Sequence, residues 1–235
     1  MERVKTGIGG LDEMLNGGLI AGRPYIVMGA PGAGKSVLST QFLIEGIKNN
    51  EKVLYVTLEE AKEELLQNMA VFGWDLAQMK ILDTAQEMGT ERWVIRSDTL
   101  INPPEFTLDN LIKTIWDRIK VYKPKRIVID SITSVKMLYD KDFQMRRGLL
   151  SLINFLFKSE ATSLLTSTET SMNVMEQSLA SGIIRLHKIE SRGEIIHALS
   201  IEKMRGSDFD KHIRPIKITD KGVTVFPNET VFEKG

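Results

Sequence analysis

The sequence predicts an α/β fold in which a mostly parallel central sheet is flanked by helices and antiparallel strands follow toward the C-terminus. Three observations support this prediction. A glycine-rich loop lies between an apolar run and a helix-like run, strand-like and helix-like runs alternate up to residue 166, and strand-like runs follow one another from residue 182 onward. Alternation is typical of a parallel sheet covered by helices, whereas consecutive strands are typical of antiparallel pairing.

The first half of the chain is predicted to begin with a one- or two-turn helix at residues 11–15, between glycine-rich segments that let the chain turn tightly. Residues 24–28 form an apolar run that predicts a buried strand, and residues 37–48 have the apolar spacing of a helix. The same reasoning predicts a strand at 52–58, a helix at 61–72 and a strand at 80–84. Residues 85–107 are polar and contain two adjacent prolines, so we predict a loop or insertion there.

In the second half, apolar residues recur on one helical face at 108–122, Pro124 ends that helix, and a strand follows at 126–130. A helix at 143–158 and a strand at 161–166 complete the alternating part. The tail predicts strands at 182–189, 195–204, 213–218 and 223–226. No composition shift marks a linker, so residues 1–235 are predicted to form a single domain.

Composition narrows the classes of function. The chain has no cysteine, which excludes disulfides, thiolate metal sites and a cysteine nucleophile. Positive and negative side chains balance at 31 each, which argues against a basic nucleic-acid footprint over the whole surface. The basic cluster at 120–126 is interpreted as the end of a helix. No signal core and no long apolar run are found, so we expect a cytoplasmic protein without a membrane span.

The glycine-rich loop fits the phosphate-binding pattern of Gly, four residues and Gly-Lys-Ser. The predicted nucleotide-binding residues are Gly29, Ala30, Pro31, Gly32, Ala33, Gly34, Lys35, Ser36 and Val37. Glycines let the backbone turn so that its amides point inward at an anion, and the following helix adds its positive N-terminal end. Lys35 is predicted to reach the β- and γ-phosphates, and the Ser36 hydroxyl is predicted to ligate Mg²⁺.

Three carboxylates follow predicted strands, where ligands bind in sheets of this kind. Asp130 ends an apolar strand, and a carboxylate there can hold Mg²⁺ through its water shell, opposite Ser36. Glu59 and Glu60 follow the strand at 52–58. They could orient a water molecule for attack on the γ-phosphorus and accept its proton. The alternative is that they form the solvated start of a helix, where acidic side chains are favoured by the helix dipole.

Two cations, Lys203 and Arg205, lie at the end of a late predicted strand, and their spacing places them on the same side of it. They could stabilise the negative charge of a transferring phosphoryl group, as an arginine finger does. The alternative is that they are solvated charges at a strand end.

Taken together, these motifs resemble the KaiC family, a branch of the RecA-like ATPases, over nearly the whole chain. The matching stretches are TGIGGLD at 6–12, GGL at 17–19, GAPGAGKS at 29–36, QFL at 41–43, LYVTLEE at 54–60, IDS at 129–131 and KMRGS at 203–207. The polar run at 167–169 is similar to the sensor stretch of that family. The resemblance implies a RecA-like P-loop core and a single domain, in contrast to the tandem pair of the clock protein.

The resemblance also implies that ATP and Mg²⁺ are bound between the subunits of a hexameric ring. Glu59 and Glu60 match the catalytic glutamates of the family, and Lys203 and Arg205 match the segment that reaches the phosphate of the neighbouring subunit. The Ser-Thr pair of the clock protein's kinase domain is not kept at 177–182, which argues against autophosphorylation, and Ser178 is the acceptor that remains there. Two alternatives stay open: a DNA-associated ATPase like the RadA relatives, and a nucleotide-gated assembly module with little turnover.

Overall fold

A sheet lies in the middle of the molecule, and helices cover both of its faces. In the strand at 24–29, Tyr25 and Val27 lie in one apolar core, whereas Ile26 and Met28 lie in a second core. Alternate residues of a strand point to opposite faces, so the two cores lie on the two sides of the sheet. The structure, a computed structural model, describes residues 1–87, 108–136, 142–168, 179–191 and 193–231.

The helices of the described part are α1 (Gly9–Met14), α2 (Lys35–Lys48), α3 (Lys62–Ala70), α4 (Thr84–Glu87), α5 (Leu108–Tyr122), α6 (Ile132–Lys136) and α7 (Asp142–Lys158). Its strands are β1 (Arg3–Val4), β2 (Leu19–Ile20), β3 (Pro24–Gly29), β4 (Val53–Thr57), β5 (Lys80–Asp83), β6 (Arg126–Asp130), β7 (Thr162–Ser167), β8 (Gly182–Ser191), β9 (Glu194–Met204), β10 (Arg214–Thr219) and β11 (Gly222–Val225). None of the described helices is long and apolar enough to cross a lipid bilayer.

The central sheet has nine strands in the order β11-β10-β9-β8-β3-β7-β6-β4-β5. Neighbours from β8 through β5 are parallel, and neighbours from β8 through β11 are antiparallel. The predicted fold class is therefore confirmed: a mostly parallel sheet flanked by helices, with antiparallel strands toward the C-terminus. Because parallel strands run the same way, the carboxyl ends of β3, β4, β6 and β7 meet at one edge.

The structure differs from the predicted elements in several places. The strand β8 was predicted with the antiparallel tail, but it also pairs in parallel with β3 and so belongs to the parallel part. The short helices α4 and α6 were not predicted, and α4 occupies the start of the predicted loop at 85–107. The rest of that loop, 88–107, lies outside the described residues. The separate β1–β2 pair was also missed, because two residues per strand are too few to show a period.

Gln41 on α2 joins the N-terminal segment to the C-terminal hairpin. Its Nε2 donates to the carbonyl oxygens of Gly7 (3.2 Å) and Val223 (3.3 Å), while the Val223 amide donates to its Oε1 at 2.8 Å. Just before α2 begins, a Cβ added at Gly34 would collide with the side chain of Ile218 on β10. The helix that follows the glycine-rich loop is thus held by both ends of the chain.

Arg126, the last member of the basic cluster, is 2% exposed and belongs to the interior. Its guanidinium pairs with Glu51 and donates to the carbonyl oxygens of Lys5 (2.7 Å) and Phe42 (2.9 Å). It also lies over the Phe42 ring, 4.7 Å from its centroid. Arg126 therefore links β6, α2 and the N-terminal segment, and it takes no part in a nucleic-acid surface.

We expect Arg126→Ala to lower the free energy of unfolding by about 3 kcal/mol, because Glu51 and two carbonyl oxygens would lose a buried donor. The matched control is Arg118→Ala, whose ion pair with Glu87 joins side chains that are 33% and 45% exposed. That variant is expected to lose less than about 1 kcal/mol. Urea denaturation of both variants measures the difference, and equal losses would contradict the role given to Arg126.

Candidate functional site

The glycine-rich loop lies where the sequence predicts it, between the end of β3 and the start of α2. Gly32 and Gly34 have φ values of 72° and 96°, a region that side chains with a Cβ rarely adopt. Gly29 is needed for a different reason, since a Cβ there would lie 2.6 Å from the carbonyl oxygen of Leu186 on β8. The helix α2 begins at Lys35, so the loop amides and the positive helix end face the same space.

The Lys35 ammonium folds back over its own loop. It donates to the carbonyl oxygens of Gly29 at 2.9 Å and Ala30 at 3.1 Å. A second cation approaches from β8, where Lys188 Nζ lies 3.4 Å from the carbonyl oxygen of Pro31. Two ammonium groups beside inward-pointing amides make this loop attractive to a polyphosphate. The sequence analysis missed Lys188, because only the pairing of β8 with β3 brings it to the loop.

Ser36 and Asp130, the predicted magnesium ligands, lie in the same cleft. Asp130 ends β6, and its partner in the neighbouring strand β4 is Thr57. The cleft has a volume of about 310 Å³ and is lined by Ser36, Thr57, Glu59, Glu60, Glu64 and Asp130. Hydroxyl and carboxylate oxygens are the ligands that Mg²⁺ prefers, so these residues fit the ion.

Two residues that the sequence analysis did not single out hold the Asp130 carboxylate. The Tyr55 hydroxyl donates to Oδ2 at 2.5 Å, and the Thr166 hydroxyl donates to Oδ1. Burial raises the pKa of Tyr55 well above its usual value and the negative charge of Asp130 raises it further, so this phenol is protonated at neutral pH and can donate.

Glu59 is held at the rim of the cleft by two hydroxyls from the chain that follows β6. Ser131 donates to Glu59 Oε1 at 2.7 Å, and Ser134, on α6, donates to the same oxygen at 2.5 Å. These two bonds fix the carboxylate beside the cleft. The unpredicted helix α6 therefore has a role in the site, because it presents the Ser134 hydroxyl.

Glu60 is positioned separately. The Thr57 hydroxyl donates to the Glu60 carbonyl oxygen at 2.5 Å, and the Glu60 side chain accepts a hydrogen bond from Asn68 on α3. Burial raises the pKa of Glu60, the negative charges of Glu64 and Asp130 act in the same direction, and the bond from Asn68 opposes them. The pair of glutamates thus lies in the predicted place, with Glu59 tied to α6 and Glu60 tied to α3.

Lys203 and Arg205 lie at the opposite edge of the sheet from the loop. Met204 pairs with Gly182, which in turn pairs with Tyr25 near the start of β3, whereas the loop begins at Gly29. Four residues of strand separate these positions, or about 13 Å. Within one chain the structure therefore does not bring the two cations to the cleft. Burial lowers the pKa of Lys203, and the adjacent positive charge of Arg205 lowers it further.

The remaining predicted residues are only partly described. Ser167 ends β7, and the Thr168 amide donates to the Thr133 hydroxyl at 3.0 Å, which joins the start of the polar run to α6. Glu169 and Ser178 lie outside the described residues.

Comparisons with known proteins identify the family of the chain. A family model described as "ATPase: KaiC" matches residues 4–230. A UPF0273 protein of Aeropyrum pernix is 33% identical over 98% of this chain and 96% of its own length. The circadian clock oscillator protein KaiC of Synechococcus elongatus is 32% identical over 96% of this chain, which covers 44% of the clock protein.

A solved structure extends the comparison to three dimensions. The KaiC-like protein of Pyrococcus horikoshii is 30% identical and superimposes with a TM-score of 0.82, covering 96% of this chain and 99% of that one. The family model and the full-length relatives agree on one domain type over almost the whole sequence. The chain belongs to the KaiC family of RecA-like ATPases.

Proposed function

We propose that the protein binds Mg²⁺-ATP and hydrolyses it at the interfaces of a homo-oligomeric, hexameric ring. The observation that carries the proposal is the single cleft in which Ser36, Asp130 and two positioned glutamates lie beside the phosphate-binding loop. Membership of an ATPase family supports the same activity.

In this mechanism the loop amides and Lys35 hold the β- and γ-phosphates. Ser36 and Asp130 would hold Mg²⁺, which when bound neutralises charge on the phosphate oxygens. Glu59 orients a water molecule and accepts its proton, with Glu60 assisting. The water oxygen bonds to the γ-phosphorus, the bond to the bridging oxygen breaks, and ADP leaves with that electron pair.

Lys203 and Arg205 enter the mechanism from the adjacent subunit. The proposal rests on their position at the edge opposite the loop, several strand residues away from their own cleft. In a head-to-tail ring, one surface of each subunit contacts a different surface of the next, so residues remote within one chain meet across the interface. There they would stabilise the charge that develops on the transferring phosphoryl group.

The first test is nucleotide binding measured by calorimetry with and without Mg²⁺. We expect Lys35→Ala to weaken Mg²⁺-ATP binding about 100-fold, because a charge-assisted contact to the phosphates is lost. Lys48→Ala is the matched control, since Lys48 is an exposed lysine in the last turn of the same helix. The affinity of the Lys48→Ala variant for Mg²⁺-ATP is expected to stay at the wild-type value. Wild-type protein that takes up no ATP in the presence of Mg²⁺ would overturn the proposal.

A further inference from the structure

The Tyr55 hydroxyl is bonded to one of the two residues that would hold Mg²⁺. It donates to Asp130 Oδ2 at 2.5 Å. The ring is 1% exposed and lies in the core between the sheet and α2, so the position of its hydroxyl is fixed by packing. Asp130 is therefore oriented by a side chain that the core holds in place.

The Asp130 carboxylate is held in the same way at both oxygens. Tyr55 donates to Oδ2 and Thr166 donates to Oδ1. Each carboxylate oxygen offers two lone-pair positions, so one position on each oxygen remains for the water shell of an ion. The two donors thus fix the orientation of the carboxylate and leave it able to accept from water.

We propose that Tyr55 is a positioning residue for Mg²⁺: its hydroxyl, together with that of Thr166, fixes the Asp130 carboxylate so that it presents oxygen lone pairs to the water shell of the ion. The inference rests on the proposed function, since it concerns the ion that accompanies ATP. It predicts that Tyr55 governs how strongly Mg²⁺ tightens nucleotide binding, separately from any effect on folding.

The test follows the binding of a fluorescent ADP analogue while Mg²⁺ is titrated from zero, starting in EDTA. Hydrogen bonds to a charged group contribute more than neutral ones, so we expect Tyr55→Phe to raise the half-saturating Mg²⁺ concentration about tenfold. Affinity for the analogue in EDTA is expected to be unchanged, because the loop amides and Lys35 are untouched.

The matched control is Tyr25→Phe. Tyr25 is also a fully buried tyrosine on the central sheet, but its hydroxyl donates to the carbonyl oxygen of Ile20 at 2.9 Å, away from the cleft. The Tyr25→Phe variant loses the same hydroxyl oxygen as Tyr55→Phe and is expected to keep the wild-type Mg²⁺ dependence of binding. Thr166→Val, which removes the other donor to Asp130, is a second test and is expected to shift the Mg²⁺ dependence in the same direction.

Thermal unfolding in EDTA establishes that the variants are folded. If wild-type binding responds to Mg²⁺, and Tyr55→Phe and Thr166→Val show the same Mg²⁺ dependence as the wild type, the role of Tyr55 is overturned while the proposed function stands. If wild-type binding itself ignores Mg²⁺, the proposed function fails, and the role of Tyr55 fails with it. A shift in Tyr55→Phe equalled by Tyr25→Phe would show a general effect of losing a buried hydroxyl and would also overturn the inference.

Discussion

Glu59→Gln is expected to lower the rate of ATP hydrolysis about a thousandfold while Mg²⁺-ATP binding stays near its wild-type value. The amide has almost the same shape as the carboxylate, and its oxygen can still accept the hydrogen bonds from Ser131 and Ser134. It cannot accept a proton from the attacking water. Phosphate release at saturating ATP measures the rate, and calorimetry measures the affinity, so chemistry and binding are separated.

Two further glutamates provide the comparison. Glu64 lines the same cleft, and Glu64→Gln is expected to keep most of the wild-type rate because no role in proton transfer is assigned to it. The hydrolysis rate of Glu60→Gln is expected to lie between those of Glu59→Gln and Glu64→Gln, since Glu60 assists Glu59 and is held by Asn68. A larger loss in Glu60→Gln than in Glu59→Gln would assign the base to Glu60. Full activity in both variants would refute catalysis by the pair.

The parts of the site that the sequence predicts are those set by local chain geometry. Gly32 and Gly34 are required by the backbone of the loop itself, and Lys35 and Ser36 follow them at fixed offsets. Asp130 could be placed because it directly follows a buried run, and parallel strands bring their carboxyl ends to one edge. Each of these predictions needs only the neighbouring residues and one general rule about parallel sheets.

The residues that the sequence analysis missed depend on strand order instead. Tyr55 reads as an apolar member of a buried strand, and its role appears only when β4 lies next to β6. Thr166 joins the site because β7 borders β6 on the other side. A side chain with a polar end in an otherwise apolar strand was the available signal. The shared partner, Asp130, lies 75 residues from Tyr55 and 36 residues from Thr166 along the chain. No local periodicity carries that information.

For Lys203 and Arg205 the sequence predicted a role but could not predict a position in the sheet. Their sequence motif predicted a catalytic role, but no pattern in the chain states which edge of the sheet they occupy. The antiparallel register of β9 on β8, and the parallel register of β8 on β3, place them far from their own loop. The register therefore keeps these cations away from the loop of their own chain, and the proposed function assigns them to the phosphate of a neighbouring subunit.

Arg205→Ala is expected to lower the hydrolysis rate about a thousandfold, as loss of an arginine finger does, and to regain activity when mixed with Glu59→Gln subunits. The Arg205 amide and carbonyl oxygen bond Ser181 and Arg23, and these backbone bonds survive the substitution. In a ring reassembled from equal amounts of the two variants, about a quarter of the interfaces would combine an intact Glu59 with an intact neighbouring Arg205. Phosphate release after subunit exchange should therefore recover to about a quarter of the wild-type rate.

The control for this experiment mixes Lys35→Ala with Glu59→Gln. Both of these residues belong to the cleft side of an interface, so no mixed interface restores both groups, and the rate should stay at the level of the single variants. If Lys203 and Arg205 acted within their own chain, the mixture of Arg205→Ala and Glu59→Gln would also stay inactive, because no subunit would carry both intact groups. Only action across the interface restores activity when Arg205→Ala is mixed with Glu59→Gln and leaves the mixture of Lys35→Ala and Glu59→Gln inactive. Exchange of labelled subunits, followed in parallel, establishes that the rings had mixed.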